Sequence, residues 1–361
     1  MSEYKEKYNK YITSGNAEHL NNWLQKLDEK TRKSLVPQIK NDLKRLYIYQ
    51  AQGDGRRARK ATSGQCAMLA VAVISCYSRK DIKSIPEDLF YNYTSIEQTI
   101  SWRSPEWLTD YINSFRNREG SPFSYRQLCN WLVAGYIYAL DPEIVARTLV
   151  RSFIDKKCHN ITCDEHIWNL FTHPCDIAYY DCFFPNQEKP EGAREEKWLY
   201  LFAKLTQSQR IDRLRVLKES LRALNRNFKK NQTNWFATLF STLNPCVEEC
   251  IQLQDELFAA FACLQGKPVS TALAAIKTVV DHPQFRVDGF IAQLPLLFAS
   301  PGKGVITTSL ALAEKIAAKR PELRVEVSRY ICGVFLNKDV GLQTKAAKLM
   351  LGYKRKRRSC W

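Results

Sequence analysis

Apolar positions along the chain recur at steps of three and four residues, the period of an amphipathic helix. In the clearest case, at 211–245, the apolar stripe comprises Leu214, Leu217, Leu221, Leu224 and Phe228. Basic side chains repeat the same steps one position further on, at Arg215, Lys218, Arg222, Arg226 and Lys229. The two stripes lie roughly 100° apart on one helix, so we expect the first to face a core and the second to face water or an anion.

The same period continues through the second half of the chain, where turns rich in Pro, Gly, Asn or Asp separate the apolar segments. It predicts helices at 245–264, 268–280, 288–298, 303–319, 321–336 and 340–351. The first half is less regular and predicts helices at 17–27, 30–50, 63–77, 106–115, 125–139 and 142–154. Strictly alternating β-branched segments are missing, so the sequence predicts more than about 60% helix and essentially no strand.

Helix pairs of roughly 33–40 residues with short turns indicate an all-α superhelical array, a solenoid of HEAT-like or armadillo-like repeats. We expect an N-terminal helical array at 1–184 and a C-terminal HEAT-like array at 193–353. The polar segment at 185–192, with two prolines and a glycine, is predicted to be the linker between them. The basic tail at 354–361 is interpreted as a truncated or non-native end.

Composition narrows the class of protein. The chain has 361 residues, of which 45% are hydrophobic and 25% charged, enough apolar material for a sizeable core. Its longest apolar runs are far shorter than the ~20 residues that span a bilayer. The first residues are charged where a signal peptide would be apolar, and the 12 cysteines are scattered without a disulfide framework. These features predict a soluble, cytoplasmic protein with no membrane segment.

The net charge of +17 is concentrated in three patches. Basic residues exceed acidic ones by seven in 1–60, by six in 210–230 and by five in 354–358. The first patch includes Arg56, Arg57, Arg59 and Lys60. Such patches bind phosphate backbones or acidic proteins, or are simply solvated helix faces. The sequence leaves these three alternatives open.

Cysteine and histidine cluster between 158 and 182, and Cys158, Cys163, His166 and Cys175 are the candidate zinc ligands. Structural zinc sites usually draw their ligands from close pairs two to four residues apart. Here no C-x-x-C occurs, and an amphipathic helical segment separates the candidates. We therefore expect buried thiols, no metal and no cofactor.

Motifs of catalysis are missing as well. Neither G-x-S-x-G nor H-E-x-x-H occurs, and Gly302-Lys303-Gly304 lacks the rest of a phosphate-binding loop. Paired carboxylates such as Glu248-Glu249 are adjacent in sequence, so on a helix they diverge by about 100°. The sequence predicts that the protein is not an enzyme.

Several segments resemble an uncharacterised bacterial family of helical-repeat proteins. The resemblance rests on the segments 211–217, 220–228, 235–236 and 243–245, together with 103–108 and 339–347. It implies a HEAT-like fold with no established activity. The resemblance also implies that, in some genomes, members of this family are companions of SWIM-type zinc-finger proteins and MoxR-type ATPases of the AAA class. The resemblance therefore implies a protein partner of one of these kinds.

Together these observations predict a non-enzymatic helical-repeat scaffold that binds other proteins. The alternative is a nucleic-acid-binding helical-repeat protein, including one like a DNA glycosylase, that uses the basic patches to hold the phosphate backbone.

Overall fold

The computed structural model of the chain describes residues 2–14, 16–51, 57–90, 94–118, 121–152, 160–182 and 197–358. Of these residues 73% are helical, which confirms the predicted all-α class. The chain forms two compact units, Met1–His159 and Asn160–Trp361. The boundary between them lies before the predicted linker at 185–192, and that linker falls outside the described residues.

Unit 1 is built around a helix that is apolar on every side. Its elements are α1 (Ser2–Ser14), α2 (Ala17–Gln25), α3 (Glu29–Ser34), α4 (Val36–Leu46), β1 (Tyr49–Ala51), β2 (Arg57–Arg59), α5 (Ser63–Cys76), α6 (Thr94–Trp102), α7 (Leu108–Asn113), α8 (Tyr125–Val133) and α9 (Pro142–Leu149). The α5 side chains at 68–74 are fully buried, and α5 packs against α1, α2, α3, α4 and α6. A helix without a polar face is stable only when neighbours surround it.

Several predicted helices of unit 1 end earlier than the sequence indicated, among them the one predicted at 142–154, which ends at Leu149. The helix predicted at 30–50 divides into α3 and α4 and ends at Leu46. The chain then forms an antiparallel hairpin in which Tyr49 lies opposite Arg59, and its strands of three residues each are the exception to the predicted absence of strand. The helix predicted at 125–139 ends at Val133, because Gly135 has a φ of 74° and so adopts the left-handed conformation that ends a helix.

In the described residues of unit 2, the regular elements are helices. They are α10 (Asn160–Asp164), α11 (Asn169–Thr172), α12 (Ile177–Cys182), α13 (Trp198–Gln207), α14 (Arg213–Ala223), α15 (Lys230–Thr242), α16 (Val247–Gln252), α17 (Gln254–Ala259), α18 (Gly266–Val279), α19 (Val287–Ile291), α20 (Leu294–Phe298), α21 (Lys303–Lys319), α22 (Arg324–Ile331) and α23 (Val340–Arg358). The last of these was predicted to end at 351. Its backbone instead stays helical through 354–358.

Contacts between the helices of unit 2 repeat along the chain. Consecutive helices pair: α14 with α15, α17 with α18, α20 with α21, and α22 with α23. The second helix of each pair also contacts the second helix of the next pair, in the order α15, α18, α21, α23. These second helices begin at residues 230, 266, 303 and 340, so their spacing stays close to 37 residues, as the helix pattern predicted.

A buried carboxylate joins three helices near the start of unit 2. Asp181, in α12, accepts hydrogen bonds from the backbone N–H groups of Trp198 at 2.6 Å and Leu199 at 3.2 Å. It also accepts one from the indole Nε1 of Trp235 at 2.7 Å. Asp181 therefore caps the beginning of α13 and ties α12 and α13 to α15. The residues on either side of the predicted linker are held together by these bonds.

Candidate functional site

Helix α14 carries the first part of both predicted stripes but ends at Ala223, so the stripes do not continue on one helix: Leu224, Arg226, Phe228 and Lys229 lie in the turn that leads to α15. Asp212 caps the N-terminus of α14 by accepting a hydrogen bond from the backbone N–H of Arg215. Leu217, Leu221, Leu224 and Phe228 are buried, as the apolar spacing predicted, whereas Leu214 is only half-buried. The helix is thereby fixed against α11, α13, α15 and α17 with its basic face outward.

The basic stripe is not a row of free charges. Glu256, on α17, lies 3.4 Å from the Nζ of Lys218 and 3.2 Å from the guanidinium of Arg222. Glu219, on α14 itself, lies 3.0 Å from Arg222 and 3.8 Å from the guanidinium of Arg226. The five side chains form a chain of alternating sign, Lys218–Glu256–Arg222–Glu219–Arg226, which we call the charged network.

Within the charged network the cations point outward and the carboxylates lie beneath them. The side chains of Lys218, Arg222 and Arg226 are 41%, 47% and 38% exposed, whereas those of Glu219 and Glu256 are 16% and 12% exposed. A guanidinium has five N–H donors in one plane. Arg222 therefore keeps donors for a partner in solution while two carboxylates fix its orientation.

Three further cations flank the charged network. The guanidinium of Arg215 stacks 3.8 Å from the centre of the Trp168 ring, which holds it flat against the protein. Lys229 and Lys230, where α15 begins, are exposed. We call these three residues together with the charged network the α14 surface. It presents six cations and two carboxylates, so it retains a positive surplus.

In the other predicted basic patch, in unit 1, the side chain of Arg59 is occupied by contacts within the unit. Arg59 forms an ion pair with Asp88, and its guanidinium lies 4.2 Å from the ring centre of Tyr47 and 5.1 Å from that of Tyr49. These contacts hold the hairpin against the unit. Lys60 is exposed. The backbone of Arg57 belongs to β2 and its side chain lies outside the described residues, as does the whole of Arg56.

The predicted cysteine and histidine candidates are dispersed in the core. Cys163, His166 and Cys175 are buried, and Cys158 lies outside the described residues. Gln232 donates its amide to the Cys175 thiol at 3.5 Å. Burial raises the pKa of the Cys175 thiol to about 12 and lowers the pKa of His166. In the described part of the chain, no group of three or more His, Cys, Asp and Glu side chains is arranged to hold a metal ion.

A groove lined partly by α17 was not predicted. It encloses about 700 Å³, and its walls include Asp255, Phe258, Arg286, Gly289 and Arg320. Arg286 forms an ion pair with Asp255 and lies 5.7 Å from the ring centre of Phe258. A Cβ on Gly289 would lie 2.9 Å from the same ring, so a larger residue at this position would force the Phe258 ring to shift. Charges of both signs stand at the rim of this groove.

Sequence reasoning also missed Glu256 and Trp168, the two residues that most change the α14 surface. Glu219 was visible as the acid three residues before Arg222. Glu256 and Trp168 belong to neighbouring helices, and only the stacking of those helices on α14 brings them to the stripe. No periodic signal in one helix reports such a pairing.

The fold and this surface define an all-helical protein with a preorganised, mainly cationic helix face. Across its described segments the chain has no helix that is both long and apolar enough to cross a membrane. The chain belongs to the family described as "Domain of unknown function (DUF6493)", whose family model matches residues 2–304. This confirms membership of an uncharacterised family. No curated protein and no solved structure matches the chain.

Proposed function

We propose that this protein is a non-enzymatic scaffold that binds other proteins, and that unit 2 is a HEAT-like array. The repeated pairing of its helices and the constant spacing of their starts support the array. Such arrays recognise partners through exposed helix faces, and the side chains that face solvent then determine the kind of partner.

The α14 surface carries this proposal. Three of its cations are held by carboxylates and one by an indole ring, yet all four remain partly exposed. Cations that are already ordered lose less side-chain entropy when a partner binds. Their positive surplus attracts an acidic segment of another protein and steers its approach. The AAA-type ATPase and SWIM zinc-finger companions implied by the sequence resemblance are the first partners to test.

Nucleic acid is the alternative partner. The positive surplus of the α14 surface favours it, as does the net charge of +17, because phosphate backbones bind wherever basic side chains are dense. A protein like a DNA glycosylase is the enzymatic form of this alternative.

Two fluorescein-labelled probes separate these functions when each is titrated with the full chain. One is an acidic peptide in which glutamates alternate with glutamines, and the other is an oligothymidylate of equal charge. We expect the full chain to bind the acidic peptide more tightly. Preferential binding of the oligothymidylate would instead favour the alternative.

Substitution locates the binding. Changing Arg215, Lys229 and Lys230 to Ala should weaken binding of the acidic peptide by about tenfold. These cations lie outside the charged network, so their loss leaves its ion pairs intact. The matched control changes Lys277, Lys345 and Lys348 to Ala, since all three are exposed lysines on other helices of unit 2. Equal effects of the two sets would place the binding elsewhere and contradict the proposal.

A further inference from the structure

The carboxylates of the charged network are placed where a surface built only to attract anions would have none. Glu219 and Glu256 are mostly covered, and each lies within 4 Å of two cations. An anion that bonds to the outer edge of Arg222 would stand roughly 6 Å from both carboxylates, since each hydrogen bond spans about 3 Å. At that distance like charges repel appreciably near a protein surface.

This repulsion acts differently on the two kinds of anionic polymer. Nucleic acid carries a charge on every nucleotide, so it cannot lie along the network without placing phosphates close to Glu219 and Glu256. A polypeptide has no such constraint. It can place carboxylates opposite Arg222 and Arg226 and a neutral or basic donor opposite each glutamate.

We infer that Glu219 and Glu256 are specificity-determining residues, which make the α14 surface select an acidic polypeptide with interrupted charge over nucleic acid. This inference rests on the proposed function and adds to it the chemistry of the partner. The segment of the partner that fits this surface carries carboxylates separated by hydrogen-bond donors. Its carboxylates then lie opposite the cations of the network and its donors lie opposite the glutamates. A uniformly charged polymer of either kind matches the network less well.

The competing explanation is that both glutamates only stabilise the contact between α14 and α17. The variant Glu219→Gln with Glu256→Gln separates the two explanations, because glutamine keeps an oxygen that accepts from Arg222 while it removes both negative charges. A control variant, Glu314→Gln with Glu322→Gln, makes the same change in net charge at exposed positions away from the α14 surface.

The experiment measures the affinity of each full-length variant for the acidic peptide and the oligothymidylate over a range of salt concentrations, with thermal unfolding as a check of folding. In the Glu219 and Glu256 variant we expect oligothymidylate to bind about tenfold more tightly. The slope of the logarithm of this affinity against the logarithm of the salt concentration should become steeper by about 0.7 to 1.4. That is the increment for one or two added phosphate contacts on a single strand. In the control variant the affinity for oligothymidylate should change far less, because its added charge lies away from the binding surface.

The outcomes separate the inference from the proposed function. An unchanged ratio of the two affinities in the Glu219 and Glu256 variant would overturn the inference, whether or not thermal stability falls. An equal gain in the control variant would also overturn it, because net charge alone would then explain the result. The proposed function fails on a different observation, namely that the unmodified chain does not bind the acidic peptide at the α14 surface.

Discussion

Replacing Asp181 by Ala should destabilise unit 2 strongly. The carboxylate is buried and is the acceptor for three donors, the backbone N–H groups of Trp198 and Leu199 and the indole of Trp235. A buried donor left without an acceptor costs about 1–3 kcal/mol. All three donors lose their acceptor, but removal of a buried charge recovers part of the summed cost. We therefore expect a net loss of about 3–5 kcal/mol in the free energy of unfolding. Asp181→Asn keeps the shape and one oxygen but turns an amide donor toward other donors, and should lose about 2–3 kcal/mol.

Urea denaturation followed by far-ultraviolet circular dichroism measures these losses. The control is Asp288→Ala, an exposed carboxylate in the same unit, which should change the free energy of unfolding by less than about 0.5 kcal/mol. A double-mutant cycle with Trp235→Phe isolates the indole bond. Because the two side chains bond directly, we expect a coupling of about 1–2 kcal/mol. A loss below about 1 kcal/mol for Asp181→Ala, or a cycle without coupling, would refute this account of how α12, α13 and α15 are joined.

The remaining predictions concern stability, charge and metal content. Leu221→Ala should cost about 2–5 kcal/mol in urea denaturation, because it empties a buried site beneath the α14 surface. Reversing Arg222 and Arg226 to Glu should lower the thermal midpoint measurably, because it gathers four carboxylates in one network; an unchanged midpoint would show that these ion pairs contribute nothing. Glu249 is partly buried, which tends to raise its pKa, but the bidentate bond to Arg213 holds that pKa below its usual value. Its stabilisation is therefore present above the pKa of the unfolded chain and is lost as pH falls through the lowered value. Arg213→Gln should thus cost more stability at neutral pH than in strong acid, where the ion pair no longer contributes and the bond from Arg213 to the Leu243 carbonyl is still lost. Elemental analysis of the purified protein should find no stoichiometric zinc, and about one equivalent would contradict the expectation drawn from the cysteine and histidine spacing.

Local pattern predicted which segments of unit 2 are helical, because their stability follows from the periodic burial that the pattern encodes. It did not predict where helices break: the segment at 245–264 divides into α16 and α17, and the segment at 288–298 divides into α19 and α20. The helix predicted at 303–319 has those bounds in the structure, and Leu217, Leu221 and Leu224 face the core as their spacing required. Prediction was poorer where three-dimensional context overrides the pattern. The hairpin in unit 1 has strands of three residues each, too short for alternation to be distinguished from the end of a helix.

The candidate site was predicted only in part, for a similar physical reason. The basic stripe was visible because its members recur at helical spacing in one segment, although Arg226 and Lys229 lie beyond the end of α14. The charge that reaches a partner depends on carboxylates and rings from other helices, and these are separated from the stripe by tens of residues along the chain. Asp181 is the same case, since its three donors lie 17 to 54 residues further on. A single sequence gives no means of pairing such residues.

The basic residues of the chain have two roles that the sequence could not distinguish: some stabilise the fold and others are available to a partner. Several arginines donate to backbone carbonyls at the ends of helices. Arg32 bonds to Leu27 at 2.8 Å after α2, and Arg213 bonds to Leu243 at 2.8 Å after α15. A cation at a helix C-terminus satisfies free carbonyls and interacts favourably with the helix dipole. These charges therefore stabilise the fold and contribute little to the recognition of a partner.

Helix α14 shows both roles within one segment. Arg213, at its first position, is bound to Glu249 and to the end of α15, so it belongs to the packing between helices. Arg222, near its last turn, is held by two carboxylates but keeps half of its side chain in solvent. In a count of charge, Arg213 and Arg222 each contribute one positive charge and cannot be told apart. Only the second presents donors to a partner, and the carboxylates that hold it also determine which anion can approach.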